Sequence, residues 1–165
     1  MSFSLVPQYS FRNVCDITPD FLKRLGVRFL MLDLDNTIAA YDECTLPHEM
    51  LQWVDTIRNF GVELFLVSNS LRKERVGSFA KALGVSYVLG AAKPSPKNLL
   101  QAMISSGFDS SQSAFVGDQI FTDTLAANRA GVISIIVRPI RFTNIFLALR
   151  YWAEAPLRAL CKNKG

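Results

Sequence analysis

The stretch Val27-Arg28-Phe29-Leu30-Met31-Leu32-Asp33-Leu34-Asp35-Asn36-Thr37 is an apolar run that stops abruptly at two carboxylates. Its apolar residues are nearly continuous and do not alternate with polar ones. That pattern marks a strand buried on both faces of a parallel sheet. Working outward, four further runs read the same way, at 62–67, 85–89, 113–116 and 132–137. Glycine punctuates them: Gly26, Gly61, Gly84 and Gly131 stand directly before a run, and Gly107 a few residues before another.

Segments of helical length fill the gaps. Thr18 is placed to cap a helix with Pro19 in its first position. Pro47 precedes a helix over 49–60, and a third spans 70–83. Ser95 and Pro96 open a fourth that closes at Gly107, and a short fifth covers 123–130. Each following glycine suits the left-handed position that ends a helix. Strands alternating with helices build βαβ units with right-handed crossovers, hence an α/β fold with one doubly wound parallel sheet. Ligands of such sheets bind at the carboxyl ends of the strands.

The chain of 165 residues is 50% hydrophobic and 19% charged, which suits one domain with a real core and excludes general disorder. Cys15, Cys44 and Cys161 are widely spaced and form no CxxC pair, and His48 is the sole histidine. A disulfide scaffold, a zinc finger and a multi-histidine metal site are therefore excluded. No run approaches the ~18 apolar residues of a membrane span, and the opening residues lack a secretory pattern. These features suggest a cytoplasmic protein, or one on the stromal or matrix side of an organelle. The net charge of +4 is uneven: 138–165 carries +5, the rest −1. A nucleic-acid-binding domain more often spreads positive charge over its body, so no nucleic-acid partner is expected. The organisation predicted is a domain over 1–140 and a basic helical extension over 141–165.

The polar chemistry gathers after the strands. Asp33 and Asp35 follow the first run, Ser68 and Asn69 the second, Lys93 the third, and Asp118 and Asp123 the fourth. Converging carboxylates repel one another, and a hard divalent cation with oxygen ligands, Mg²⁺, relieves this. Lys93 and Ser68 would then hold phosphate oxygens, an arrangement suited to phosphoryl transfer. Trp53, with helix-spaced Ile57 and Phe60, reads as core, and His48 as surface.

Asp33-x-Asp35-x-Thr37, Ser68-Asn69, Lys93-Pro94 and Gly117-Asp118-x-x-x-x-Asp123 resemble, in order, the four motifs of the haloacid dehalogenase superfamily. The resemblance covers 15–140. It implies a HAD-like Rossmannoid phosphatase with Asp33 as nucleophile, forming an aspartyl-phosphate, and Asp35 as general acid and base. It implies that Ser68 binds phosphate, with Thr37 and Asn69 beside it at the phosphate site and Thr37 and Asn36 shaping the loop. It makes Lys93 the charge stabiliser. Mg²⁺ would be held by the Asp33 and Asp118 carboxylates and the Asp35 carbonyl, with Asp123 supporting Lys93 or the metal's water shell. The gaps between motifs leave no room for a cap domain, so the site is expected to be open.

The segments NVCDITPDFLKRLGVRFLMLDLDNT and VGDQIFTDTLAANRAG, with IIVRPI after them, are similar to the YqeG-type branch of subfamily IIIA, whose relatives include phosphatidylglycerophosphate phosphatases. The tail adds to that expectation. Over 144–161 it is apolar except at Arg150, Glu154 and Arg158, which fall on one helical stripe. Pro156 should kink or split the helix. With Arg141, Lys162 and Lys164 beside it, residues 143–161 suit a membrane interface, or packing on the sheet, or a dimer. The expectation is a Mg²⁺-dependent phosphatase of a lipid headgroup, peripheral on a membrane. Two alternatives stand: a phosphatase of a soluble phosphometabolite, and a non-catalytic phosphate-binding or assembly module.

Overall fold

The computed structural model describes residues 4–161 and the backbone of 163 and 164. The strands are β1 (Tyr9–Ser10), β2 (Phe29–Leu32), β3 (Glu63–Val67), β4 (Ser86–Val88), β5 (Ser113–Gly117), β6 (Ile133–Ile136) and β7 (Asn163–Lys164). The helices are α1 (Pro19–Arg24), α2 (His48–Asn59), α3 (Lys73–Leu83), α4 (Lys97–Ser106), α5 (Leu125–Ala130) and α6 (Ile145–Ala159). Lys162 and the side chain of Lys164 lie outside the described residues.

All strands are parallel, in the order β4-β3-β2-β5-β6-β1-β7. The chain moves from β2 outward to β3 and β4, then crosses through α4 to β5 on the other side of β2. The carboxyl ends of β2 and β5 thus form the topological switch point, where such sheets bind ligands. β1 and β7, two residues each, escape sequence reading because two residues carry no periodic signal. Tyr9 pairs with Ile135 and extends the sheet beyond β6.

The continuous apolar character of β2 follows from burial on both faces. Leu30 and Leu32 join Trp53 and Ile57 of α2 and Phe79 of α3 in one core. Phe29 and Met31 join Leu99 and Met103 of α4 and Ala126 and Ala127 of α5 in the other. Trp53 also donates from Nε1 to the Ile17 carbonyl at 2.8 Å, fixing α2 to the turn before α1. Thr18 caps α1, its Oγ1 accepting from Phe21 N at 3.2 Å.

Three helices differ from expectation. α3 starts at Lys73, not 70, because residues 68–72 stay in a loop held by side chains: the Ser68 and Ser70 hydroxyls accept from Ser70 N and Arg72 N. α5 starts at Leu125, because Ile120–Thr124 winds as a wider π-helical turn. α6 is not split. Pro156 falls in its closing turns, where its missing N–H costs one bond near an end that frays in any case. Among the described residues no helix is long and apolar enough to cross a membrane. Only α2 and β3 separate Asp35 from Ser68, and only α3 and β4 separate Ser68 from Lys93, so no cap domain is inserted there.

Candidate active site

Leu32 of β2 is paired with Val116 of β5, and Asp33 N donates to the Val116 carbonyl at 2.9 Å. This register sets Asp33 beside Asp118 at the switch point. One oxygen each from Asp33, Asp118 and Asp123 lie within 4.8 Å of one another, all three residues buried. Lys93 reaches in from the loop after β4. Its Nζ sits 2.5 Å from Asp33 Oδ1 and 2.8 Å from Asp123 Oδ1, and donates to the Val67 carbonyl at 3.1 Å. Asn69 clamps the lysine's backbone: Oδ1 accepts from Lys93 N at 2.9 Å and Nδ2 donates to Lys93 O at 3.2 Å. Thr37 Oγ1 donates to Asp33 Oδ2 at 3.3 Å. Gly117 is required by close approach, since a Cβ there would overlap the Asp123 side chain.

Three buried carboxylates face one buried ammonium. Burial pushes the Asp33 carboxyl up to about 7, with Lys93 opposing the rise and the Asp123 charge adding to it. Asp118 is raised for the same first reason, burial, and then by Asp123 and Asp33. Burial alone would lower Lys93, but the carboxylates of Asp123 and Asp33 overcome it and hold the ammonium protonated. Asp118 Oδ1 is buried with no hydrogen-bond partner among the described residues. An orphaned carboxylate oxygen beside excess negative charge fits a hard divalent cation.

Some candidate residues sit elsewhere than expected. The acidic cluster contains Asp123, and the Asp35 carboxylate is outside it. Asn36, at φ +64°, turns the chain after Asp35, and Arg75 of α3 pairs with Asp35 Oδ1 at 2.6 Å. Arg75 also donates to the Ala40 carbonyl at 2.7 Å, so it pins the loop as well as the acid. Ser68 is fully buried, its Oγ accepting from Ser70 N at 3.0 Å, and it does not line the cleft. The cleft has a volume of about 250 Å³. Asp33, Asp35, Asn69, Lys93 and Asp123 line it, together with Tyr41, Gln119, Thr122 and Arg150, which no motif marked.

The tail contributes more to this edge than its composition announced. The polar stripe of α6 faces inward. Glu154, 1% exposed, accepts from Ile120 N at 2.9 Å and Phe121 N at 3.2 Å. Arg158 donates to the carbonyl of Asp118, to Val137 O at 3.1 Å and to Glu154 Oε2 at 3.0 Å. α6 therefore braces the loop that carries Asp118 and Asp123. The i,i+4 spacing of Glu154 and Arg158 was visible, but not the direction it faced. The apolar side points outward: Ile145 is 65% exposed, Phe146 78%, Leu149 59% and Trp152 70%. Arg141, expected to serve as a basic flank, is spent on Asp42 and Glu43, at 2.9 and 3.6 Å.

Comparison with known proteins bears on the family and the fold. Over 161 residues the chain is 29% identical to the probable phosphatase YqeG of Bacillus subtilis, covering 97% of this chain and 93% of that protein. Over 150 residues it is 26% identical to phosphatidylglycerophosphate phosphatase 1, chloroplastic/mitochondrial, of Arabidopsis thaliana, covering 82% of this chain and 41% of that longer protein. The fold matches the 3-deoxy-D-manno-octulosonate 8-phosphate phosphatase of Moraxella catarrhalis, solved with magnesium, phosphate and sugar, at a TM-score of 0.57 and 14% identity, over 90% of this chain and 82% of that one. Residues 13–131, which hold all four motif loops, match the haloacid dehalogenase-like hydrolases, and the chain belongs to that family.

Proposed function

We propose that this hydrolase is a Mg²⁺-dependent phosphomonoesterase that removes the terminal phosphate of phosphatidylglycerophosphate at a membrane surface. The observation that carries the phosphatase reading is the convergence of Asp33, Asp118 and Asp123 on Lys93, with one Asp118 oxygen left unpartnered.

In this reading an Asp33 oxygen attacks the phosphorus, the bond to the leaving alkoxide breaks, and Asp35 supplies its proton. For this step the Asp35 side chain turns from Arg75, 2.6 Å away, toward the leaving oxygen. Water, deprotonated by Asp35, then attacks the aspartyl-phosphate and frees Asp33. Lys93 holds Asp33 in line and balances charge on the phosphoryl oxygens. Thr37 orients Asp33 through its hydroxyl, Asn69 acts through the backbone of Lys93, and the buried Ser68 shapes the loop by accepting from Ser70 N. Asp33, Asp118 and the Asp35 carbonyl would hold Mg²⁺, which supplies electrostatic stabilisation of the transferred group.

The lipid substrate is supported by the outward apolar side of α6, the helix whose Arg150 lines the cleft. Leu71 and Phe121, on the loops after Ser68 and Asp118, are 82% and 40% exposed and add apolar surface to the same edge. The Arabidopsis relative points to the same lipid class. An uncovered cleft suits a headgroup whose acyl chains stay in the bilayer.

The test is phosphate release from phosphatidylglycerophosphate in mixed micelles against a panel of soluble phosphates. Expected is Mg²⁺-dependent turnover favouring the lipid, falling at least ~10³-fold in Asp33→Asn. Fast turnover of a nucleotide or sugar phosphate with none of the lipid would move the assignment to a soluble phosphometabolite. No turnover of any phosphate, aryl phosphates included, would leave a phosphate-binding module.

A further inference from the structure

Arg150 stands out from the other arginines of α6 and of the site rim. Arg75 is committed to Asp35, Arg141 to Asp42 and Glu43, and Arg158 to Glu154. Arg150 makes no hydrogen bond or ion pair with any described residue, yet it lines the catalytic cleft. It lies close enough to Asp118 and to Tyr41 for its charge to act on both. It is also half-buried, so the guanidinium is held over the cleft mouth by α6 and not waving in solvent. α6 itself is fixed by Glu154 and Arg158.

A half-buried cation that has Asp118 nearby but makes no hydrogen bond or ion pair with a described residue keeps its donors open to a further anion. The scissile phosphate already has Lys93 and the acidic cluster's cation as counter-charges. From the phosphatase reading above, on which this rests, we infer that Arg150 is a specificity residue that pairs with a second anionic group of the substrate, a phosphodiester adjoining the phosphomonoester being cleaved. Charge selects the diester. A phosphodiester carries one negative charge at neutral pH and matches one guanidinium, whereas a second phosphomonoester carries nearly two. Besides Arg150, the cleft is lined by the neutral Tyr41, Asn69, Gln119 and Thr122, by Lys93, which is engaged by Asp33 and Asp123, and by the repelling carboxylates of Asp33, Asp35 and Asp123. The Tyr41 hydroxyl is a fitting donor to the same diester. The residue also joins two functions of one helix: α6 turns its apolar side outward and, one position after Leu149, sets a cation at the cleft.

Binding to the Asp33→Asn protein separates recognition from turnover. In Mg²⁺, three soluble probes are titrated calorimetrically: glycerol 3-phosphate, the deacylated headgroup glycerophosphoglycerol phosphate, and a sugar bisphosphate. The headgroup should bind roughly tenfold tighter than glycerol 3-phosphate, the gain of one charge-assisted contact. Adding Arg150→Gln should remove that advantage and leave glycerol 3-phosphate within about twofold, and Arg150→Lys should restore part of it. An equal loss for both ligands would show that Arg150 serves the scissile phosphate or the metal loop, and no loss for either would show that it reads nothing; both overturn the inference. A bisphosphate that binds tighter than the headgroup, with the same Arg150 dependence, overturns the diester assignment. If none of the probes binds the Asp33→Asn protein and the unsubstituted protein turns none of them over, the phosphatase reading fails first and this inference with it.

Discussion

α2 and α6 are both amphipathic, and they are docked in opposite senses. α2 buries Met50, Trp53, Val54 and Ile57 against the sheet and shows its polar side to solvent. α6 buries Glu154 and turns Ile145, Phe146, Leu149 and Trp152 outward. The hydrophobic effect holds the first; hydrogen bonds and one ion pair hold the second. The contrast shows that an apolar stripe marks a surface to be covered without naming the cover. For α2 it is the chain's own sheet. For α6 it is something else, and a bilayer is the proposed answer.

Matched tryptophan substitutions break this comparison most sharply. Trp53→Ala should lower stability by about 3–5 kcal/mol in denaturant unfolding, through the cavity left in the core and the lost bond to Ile17. If it costs no more than a surface change, α2 is not docked as described. The polar anchor of α6 comes next. Glu154→Gln should cost about 1–3 kcal/mol, because Arg158 loses its buried counter-charge while Ile120 and Phe121 keep a weaker acceptor. The same variant should weaken Mg²⁺ binding, measured by titration, since the Asp118 loop loses its brace. An unchanged Mg²⁺ affinity would separate α6 from the site.

The acidic edge of the sheet has its own signature in pH. With the Asp33 carboxyl raised to about 7, the metal-free folded protein holds a proton that the unfolded chain has already released above its ordinary carboxylate range. The contribution of this group to stability is therefore present at low pH and fades as pH climbs toward 7. Mg²⁺ must displace that proton, so its affinity should rise with pH between about 5 and 7, by up to roughly tenfold per unit. Calorimetry in buffers of differing ionisation enthalpy would show proton release, and a flat profile would contradict it. The smallest stability effect belongs to the outward face. Trp152→Ala should change stability by no more than about 0.5 kcal/mol, while sedimentation with anionic liposomes should fall several-fold. A large loss of stability would mean that Trp152 is packed, and unaltered sedimentation would remove the membrane from the account.

What the sequence disclosed follows the same division. Where a pattern reports burial against the chain's own body it was largely readable: the strands β2, β3, β5 and β6, the αL glycines such as Gly84, and the core place of Trp53. β4, also read as buried on both faces, is a three-residue edge strand with Ser86 and Tyr87 exposed. The four motif loops were readable because the strands deliver them to one edge. Arg75 and Arg150 were not, since each reaches the cleft from an element remote in sequence, and Tyr41, six positions after Asp35, carries no local signature. Arg75 lies forty positions from its partner Asp35. The inward turn of Glu154 was hidden for a related reason: periodicity gives the stripe but not the side it faces. Ser68 and Asn69 were found as a motif, yet the geometry gives them hydrogen bonds to neighbouring backbone, which spacing does not reveal.

The grip of Arg158 on the Asp118 carbonyl has a consequence for how the enzyme matures. The loop is translated before the helix that steadies it: β2 to β5 precede it, and α5 and β6 are made in between. A nascent chain can thus complete its central sheet while the loop of Asp118 and Asp123 is still slack. Competence arrives only once α6 has emerged from the ribosome and closed over it, so stalled or prematurely terminated chains should be folded but silent.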